Sequence, residues 1–259
     1  MIICYGILDN KNNLLNYMAD FVDNNEYQYV GSELEIAREA TNWKNYFCSL
    51  IYPYLGNEVL EVGAGMGGTT KVLCKSHHKR WLCLEPDAQL ASIIDDSINQ
   101  KDLPNCCLVK NGTLIDLESS EKFDSLVYID VLEHIKDDIH ETNLATNYLK
   151  PGGNLIILCP AHQWLFTPFD SALGHYRRYN KKTLSLVIPE YLICQKLMYL
   201  DSIGTLASLG NRLLLKSSQP TLQQIKFWDR VMVPLSTQID PLIGYSFGKS
   251  ILGIWQKTF

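Results

Sequence analysis

The sequence predicts an α/β fold in which helices cover both faces of a parallel sheet. Two observations carry this prediction. From residue 56 onward, short apolar runs alternate with helical stretches, as in strand–helix–strand units joined by right-handed crossovers. A chain of 259 residues with 46% hydrophobic content can also fill one sizeable core.

The segment before the sheet is predicted to be helical. Between residues 32 and 54, apolar and aromatic residues recur at roughly helical spacing, and a proline closes the pattern. Trp43, Tyr46 and Phe47 in this segment either form a lid over a ligand or pack as core. We therefore interpret residues 1–55 as an N-terminal helical arm or lid.

The following elements are predicted in chain order. The strands are Glu58–Val62, Arg80–Leu84, Cys106–Val109, Ser125–Ile129, Asn154–Cys159, Leu192–Leu200 and Gly248–Trp255. The helices between them include Thr69–Cys74, Asp87–Ile98 and Ile139–Leu149, the last ending in a turn at Lys150, Pro151, Gly152 and Gly153. Residues 204–243 are mostly helical and too long for a structureless loop, which predicts an insertion or cap between strands six and seven. Residues 56–200 are interpreted as the cofactor-binding core, and residues 1–259 are predicted to form a single domain.

Charge and cysteine usage limit the class of protein. The net charge of -5 provides no positive field for nucleic acid or an acidic membrane. The eight cysteines include no CxxC pair, so neither a zinc cage nor a disulfide framework is predicted, and a reducing cytoplasm is expected. The first residues lack the pattern of a secretory signal, and no apolar run is long enough to span a membrane.

A glycine-rich turn follows the first predicted strand. Gly63, Gly65 and Gly68 fit the GxGxxG pattern of dinucleotide-binding turns, while Gly67 completes a GxGxG pattern with the first two. In either pattern, glycine lets the backbone approach a ligand closely and permits a tight strand-to-helix turn. The glycines alone therefore do not select the cofactor.

Two acidic residues narrow the choice. Glu61 lies at the end of strand one, where it would repel a pyrophosphate and attract an ammonium group. Glu85 ends strand two, where a carboxylate can accept both hydrogen bonds of a ribose diol, which suits NAD and S-adenosylmethionine equally. Glu61 thus favours a cofactor that carries an amino acid.

Four stretches in order make the resemblance specific. Residues 59–67, 84–87, 123–135 and 149–153 resemble the motif series of class I S-adenosylmethionine-dependent methyltransferases, and together they cover residues 59–160. The resemblance implies a Rossmann-like seven-stranded sheet with an antiparallel last strand and S-adenosyl-L-methionine as cofactor. By the same resemblance, residues 112–114 flank the adenine, with Gly112 at the start of that segment. Together with Glu61 from the charge argument, the predicted cofactor-binding residues are Glu61, Gly63, Ala64, Gly65, Glu85, Pro86, Thr113, Leu114, Asp130, Val131 and Leu132.

The acceptor side is less constrained by the resemblance. Methyl transfer is an in-line displacement, so the protein mainly aligns a nucleophile and excludes water, and a general base is optional. His134, His162 and His175 are candidate bases, although helix capping is the alternative for His134. The segment of His175, Tyr176, Arg177, Arg178 and Tyr179 resembles an HYRRY-like subgroup acting on small molecules. The arginines either clamp an anionic substrate or form structural salt bridges.

No metal site is expected from the sequence. Glu133 and His134 are adjacent instead of one helical turn apart, and Asp137 and Asp138 are expected to face solvent. The expected function is methyl transfer to an oxygen or nitrogen of a small-molecule acceptor such as a sugar, lipid or secondary metabolite. The alternatives are a non-catalytic partner protein with this fold and a nicotinamide-dependent oxidoreductase.

Overall fold

The computed structural model describes residues 40–210 and 221–258. Its strands form a single seven-stranded sheet in the order β3-β2-β1-β4-β5-β7-β6. The strands are β1 Glu58–Val62, β2 Arg80–Glu85, β3 Cys107–Asn111, β4 Phe123–Ile129, β5 Leu149–Pro160, β6 Leu192–Leu200 and β7 Ser250–Lys257. Strands β1 to β5 are parallel neighbours, whereas β7 runs antiparallel to both β5 and β6. The predicted Rossmann-like fold class is confirmed.

Helices are numbered along the described residues. They are α1 Thr41–Ile51, α2 Thr70–Leu73, α3 Ala88–Asn99, α4 Asp138–Thr146, α5 Pro168–Ala172, α6 Lys181–Leu186, α7 Ser202–Gly210, α8 Leu222–Phe227 and α9 Val233–Leu242. A short π-helical segment, Trp228–Met232, joins α8 to α9. Over the two described ranges, no helix combines the length and the apolar character needed to cross a bilayer.

Hydrophobic residues on both faces bury the central strands. Leu60, Leu126 and Leu155 belong to the core on one face, whereas Val127 and Ile156 belong to the core on the other. This two-sided burial explains why these strands are continuous apolar runs in the sequence. The strands were therefore predictable, and β1 and β6 have the predicted bounds.

The predicted turn at residues 150–153 is wrong. These residues lie inside β5, which begins at Leu149. The pairing with β4 jumps from Phe123 opposite Leu149 to Ser125 opposite Asn154, so the intervening residues bulge out of the ladder. Gly152 supplies the positive φ of 77° that this bulge requires. Proline and glycine interrupt the register here without ending the strand.

The helix before the sheet is attached to the insertion between β6 and β7. The Asp229 carboxylate accepts hydrogen bonds from the backbone amides of Asn42 (3.2 Å) and Trp43 (2.9 Å) at the first turn of α1. The Trp43 ring packs against Trp228, with a centroid distance of 5.9 Å. Asp229 is itself buried. Its carboxylate thus caps the start of α1 although it lies far from α1 in the sequence.

A second buried carboxylate joins the same elements to the end of the sheet. Asp240 accepts hydrogen bonds from the Tyr46 hydroxyl (2.8 Å) and from the amides of Asp201 (2.7 Å) and Ser202 (3.1 Å). Tyr46 is buried, as are Trp43 and Phe47. The three aromatic side chains of α1 are therefore packed as core.

The cap at Asp229 generates a stability prediction. Asp229→Ala leaves the amides of Asn42 and Trp43 without their acceptor, so the free energy of unfolding should fall by about 1–3 kcal/mol. Urea denaturation followed by tryptophan fluorescence measures the change. The exposed Asp96 provides the matched control, and Asp96→Ala should stay close to wild type. Equal stability of the two variants would contradict the proposed capping role.

Candidate functional site

The glycine turn after β1 has the backbone geometry that the sequence predicts. Gly63, Gly65 and Gly67 have φ values of 68°, 58° and 75°, which strongly favour glycine. A Cβ placed on Gly63 would lie 2.6 Å from the Cγ2 atom of Val131. The turn therefore needs glycine both for its conformation and for its close approach to the segment after β4.

Glu85 at the end of β2 lies directly against this turn. Its carboxylate accepts hydrogen bonds from the amides of Gly65 (2.7 Å) and Asp87 (3.0 Å). Burial raises the pKa of Glu85 to about 7, although these two bonds oppose the rise. The carboxylate and the turn thus form one unit, in which a hydroxyl-bearing ligand could exchange for the Gly65 amide.

Glu61 is buried beneath the turn. Its Oε2 atom accepts hydrogen bonds from the Thr70 hydroxyl (2.7 Å) and the Trp81 indole (2.8 Å). Burial raises the pKa of Glu61 to about 7, while the two hydrogen bonds hold it down. One carboxylate oxygen is thus committed to the protein core. The predicted contact with a cofactor ammonium stays a prediction.

Asp130 occupies the position after β4 and has an unusual backbone conformation. Its φ is 54°, and its amide donates a 2.8 Å hydrogen bond to the Leu158 carbonyl of β5. Solvent reaches the residue, yet desolvation by the surrounding protein atoms raises the pKa of Asp130 to about 6, while the charges of nearby cationic groups oppose the rise. An exposed side chain within the body of the protein indicates a concave edge, as expected where parallel strands end.

The other residues of the predicted cofactor set differ in exposure. Val131 is half-buried above Gly63, whereas Leu132 and Leu114 are buried in the core. Gly112 donates a hydrogen bond from its amide to the Glu85 carbonyl at 3.0 Å. Leu114 and Leu132 can therefore present backbone, but not side chain, to a ligand.

Two of the three predicted histidines lie together. The rings of His134 and His175 meet edge to face, with centroids 4.5 Å apart. Burial, followed by the charge of His175, lowers the pKa of His134 to about 3. A base with that pKa accepts protons weakly near neutral pH. The proposed role of His134 as a general base is thereby weakened on physical grounds.

His162 has a separate set of neighbours. Its ring stacks on Tyr199 at a centroid distance of 4.6 Å and contacts Trp164 and Phe247. Its Nε2 atom is buried and has no hydrogen-bond partner in the described structure. Burial lowers its pKa, although a bond to the Gly248 backbone opposes the change. His162 thus retains one ring nitrogen for a ligand.

Ion pairs engage the predicted acceptor segment. Arg178 donates a 2.8 Å hydrogen bond from Nε to Asp170 Oδ1, and its Nη2 atom forms an ion pair with the same oxygen at 2.8 Å. Arg177 contacts Asp138, which also accepts a 2.6 Å hydrogen bond from the buried Tyr179 hydroxyl. The structural alternative for the two arginines therefore has direct support. The substrate-binding roles of this segment stay predictions.

Asp138 corrects one prediction, since it is buried against Arg177 and does not face solvent. Asp170 was missed, although its context contains a helix-start signal. Thr167 and Asp170 form a capping box around Pro168, which begins α5. Burial would raise the Asp170 pKa, but hydrogen bonds from His175 and Arg178 lower it. Glu133, considered from the sequence only as a metal ligand and set aside, is fully buried next to His134 in the chain.

A comparison with family models finds a match over the parallel part of the sheet. Residues 60–155 match a family model described as Methyltransferase domain. This range runs from β1 into β5 and contains the glycine turn, Glu85 and Asp130. A comparison with curated proteins finds no significant match.

Solved structures support the same fold at low sequence identity. A geranyl diphosphate methyltransferase in complex with SAM is similar at 13% identity and a TM-score of 0.59, with 94% of each chain covered. A coclaurine N-methyltransferase bound to N-methylheliamine and SAH gives 14% identity and a TM-score of 0.57, covering 90% of this chain and 77% of that one. The cyclase SpnF is similar at 13% identity and a TM-score of 0.57, with 82% of this chain and 80% of that one covered. These likenesses establish the fold.

The buried Glu61 generates a pH prediction. Its pKa of about 7 lies above the ordinary value of 4.5, so the unfolded chain releases this proton at lower pH than the folded protein does. Its contribution to stability is therefore complete below about pH 4.5 and is lost as the pH rises through about 7. Glu61→Gln keeps an acceptor oxygen but cannot ionise.

Relative to wild type, Glu61→Gln should gain up to about 3 kcal/mol in the free energy of unfolding between about pH 5 and pH 8. Urea denaturation at several pH values measures this difference. Glu118→Gln, at an exposed glutamate, is the control and should follow wild type throughout. A pH-independent difference for Glu61→Gln would show that the carboxyl group titrates normally.

Proposed function

We propose that this protein transfers a methyl group from S-adenosylmethionine to an oxygen or nitrogen of a small-molecule acceptor. The observation that carries the proposal is where the family match falls. The matched residues 60–155 are those that form the glycine turn, the Glu85 carboxylate and the concave edge at Asp130. Two structural neighbours named as methyltransferases, one with SAM and one with SAH, support the same cofactor.

The residues present fit an amino-acid-bearing nucleoside. Gly63 and Gly65 have positive φ and carry no Cβ that would keep a ligand away from the backbone. A side chain at Gly63 would also collide with Val131. Glu85 would hold the ribose hydroxyls, with Pro86, Thr113 and Leu114 flanking the base. Ala64 and Asp130 would contact the methionine end. The bound sulfonium would supply an electrophilic methyl group and a neutral leaving group.

The protein's own contribution would be alignment and exclusion of water. Val131 lies against Gly63 of the glycine turn, and the Tyr176 amide is hydrogen-bonded to the Glu133 carbonyl two residues later, so an acceptor held at residues 175–179 would lie near the cofactor. Tyr176 is the exposed aromatic side chain of that segment. His162 stays a candidate base, but its unpartnered Nε2 atom is buried and would have to become accessible before it could bind an acceptor hydroxyl. Positioning a nucleophile in this way lowers the entropic part of the barrier.

A non-methylating role is the main alternative. The cyclase SpnF has this fold and is named for a different reaction, which shows that the fold does not determine the chemistry. In that case the cofactor site would serve binding or structure, and the insertion of residues 204–243 would serve as an interface. An oxidoreductase is disfavoured because its dinucleotide pyrophosphate would lie near Glu61.

Calorimetry and product analysis separate these functions. S-adenosylmethionine and its demethylated product should both bind to ligand-free protein, while NADH should not. Incubation of small-molecule extracts with isotopically labelled cofactor should then yield labelled products detectable by mass spectrometry. Absence of cofactor binding would refute the proposal, and binding without any labelled product would favour the non-catalytic alternative.

Glu85 provides the sharpest variant for cofactor binding. Glu85→Ala should weaken binding by about 1–3 kcal/mol, since charge-assisted hydrogen bonds of this kind contribute on that scale. Titration calorimetry measures the affinity, and circular dichroism checks that the variant is folded. Glu118→Ala is the matched control at an exposed site. Unchanged affinity in folded Glu85→Ala would remove Glu85 from the proposed ribose site.

A further inference from the structure

Glu133 has an environment that the fold alone does not explain. Its side chain is 0% exposed, yet neither carboxylate oxygen has a hydrogen-bond partner in the described structure. Burying a carboxylate without hydrogen bonds or a counter-charge is strongly unfavourable. A partner that the polypeptide itself does not supply would remove this cost.

Two histidines lie around this carboxylate. One ligand atom each from Glu133, His134 and His175 can be chosen so that all three lie within 4.8 Å of one another. Metal ions bind imidazole nitrogen and carboxylate oxygen at about 2.0–2.2 Å, so small side-chain movements would close the three atoms around one ion. The cluster combines two distant segments, which explains why sequence spacing did not reveal it.

Hydrogen bonds on the far side of each ring orient the imidazoles of His134 and His175. The Nδ1 atom of His175 lies 3.1 Å from Asp170 Oδ1, which leaves Nε2 for another partner. His134 makes a hydrogen bond to the Leu173 backbone, which likewise engages one ring nitrogen. A histidine that binds a metal usually donates its second ring N–H to a carboxylate or a backbone carbonyl. Both histidines show this arrangement.

Backbone hydrogen bonds fix the two segments relative to each other. The Tyr176 amide donates to the Glu133 carbonyl at 2.8 Å, and the His175 amide donates to the Asp170 carbonyl at 2.9 Å. Glu133 and His134 belong to the one-turn helix Leu132–His134 that follows β4. The main chain therefore fixes the segments that carry the three side chains relative to each other.

The nearby charges also favour a cation. Asp130 adds a second carboxylate whose charge acts on Glu133. Arg178, whose charge acts on Glu133, is already paired with Asp170, and Lys249, whose charge acts on Asp130, contacts Asp201 and the Trp228 ring. Neither donates a hydrogen bond to Glu133. Within the described residues, both oxygens of Glu133 are thus left without a bonded counter-ion.

We propose that Glu133, His134 and His175 bind one divalent transition-metal ion. Two imidazoles and one carboxylate suit Zn²⁺, Mn²⁺, Fe²⁺ or Co²⁺ better than Mg²⁺ or Ca²⁺, which prefer oxygen ligands. Three protein ligands leave at least one coordination position open. The ion would lie beside Asp130, next to the proposed cofactor edge.

The open coordination position would give the metal ion a catalytic role, and this role rests on the proposed function. An acceptor hydroxyl bound to the ion would lose its proton to water more readily, because a bound metal strongly lowers the pKa of coordinated oxygen. The oxygen lone pair then forms the new C–O bond with the methyl carbon, while the C–S bond breaks and its electron pair remains on sulfur. The acceptor class is accordingly a hydroxyl compound that can coordinate a metal.

Metal binding is tested first, without any cofactor. Protein treated with EDTA and desalted is titrated with Zn²⁺, Mn²⁺ or Co²⁺ by calorimetry, and bound Co²⁺ is also followed by its visible absorption. Wild type should bind one equivalent of at least one of these ions. Glu133→Gln and His175→Asn should each lose at least about 100-fold in affinity, since removal even of outer-shell partners costs about 10–100-fold.

Two control variants locate the site. His140→Asn removes an exposed histidine, and Cys106→Ser disrupts a separate thiol cluster in which Cys74 lies 3.4 Å from Cys106. Both controls should bind like wild type. No binding to wild type, full binding to Glu133→Gln, or loss of binding in Cys106→Ser would each overturn the assignment. Thermal denaturation gives an independent readout, because the metal should raise the melting temperature of wild type but not of Glu133→Gln.

The catalytic role is tested separately. Transfer of labelled methyl groups should fall at least about tenfold after EDTA treatment and recover when the metal is restored, as expected if the ion activates the acceptor oxygen. Cofactor affinity is measured in both states. Metal binding without cofactor binding would refute the proposed function while leaving the site intact. Cofactor binding with full turnover in metal-free protein would refute the metal's catalytic role alone.

Discussion

The pairing of β5 with β7 is the contact on which the arrangement of the chain depends. Strand β7 lies between β5 and β6 and pairs with both along most of its length. Among the described residues β6 has no other neighbour in the sheet, so its hydrogen-bond ladder forms only when Ser250–Lys257 pairs with it. Such a non-local pairing carries a loop-closure cost before its contacts are gained. The buried side chains Ile251, Leu252 and Ile254 offset this cost.

The same constraint explains the buried acids of the insertion. The chain must leave the sheet after Leu200 and return to it at Ser250, and its helices pack against α1 on the way. Asp229 and Asp240 satisfy backbone amides at these contacts. Asp201 accepts hydrogen bonds from Ser236 and Trp228 in the same region. Polar contacts thus define how the insertion sits on a core that is itself apolar.

Much of the fold was readable from sequence because its central strands are buried on both faces. The bounds of β1 and β6 followed from apolar runs alone. The segment at Gly152 was misread because proline and glycine signal a turn whether the chain reverses or only bulges from a ladder. The glycines at 63 and 65 were identified correctly as conformational requirements, since their positive φ follows from the pattern itself.

The acceptor side was less readable because it depends on tertiary pairing. The partners of Arg177 and Arg178 are Asp138 and Asp170, which no local spacing connects to them. Glu133 and His134 are adjacent in sequence, so the grouping with His175 became visible only when the segment after α5 was placed against the end of β4. Sequence periodicity reports which face of an element is buried, but it does not report which buried polar groups meet.

Three carboxyl groups lie near the edge of the sheet where the cofactor is proposed to bind. Burial raises the pKa of Glu61 and of Glu85 to about 7 and that of Asp130 to about 6. A sulfonium donor carries a positive charge, and the thioether that remains after methyl transfer does not. Carboxylates at this edge would therefore attract the cationic donor more strongly than the neutral thioether product of the proposed reaction.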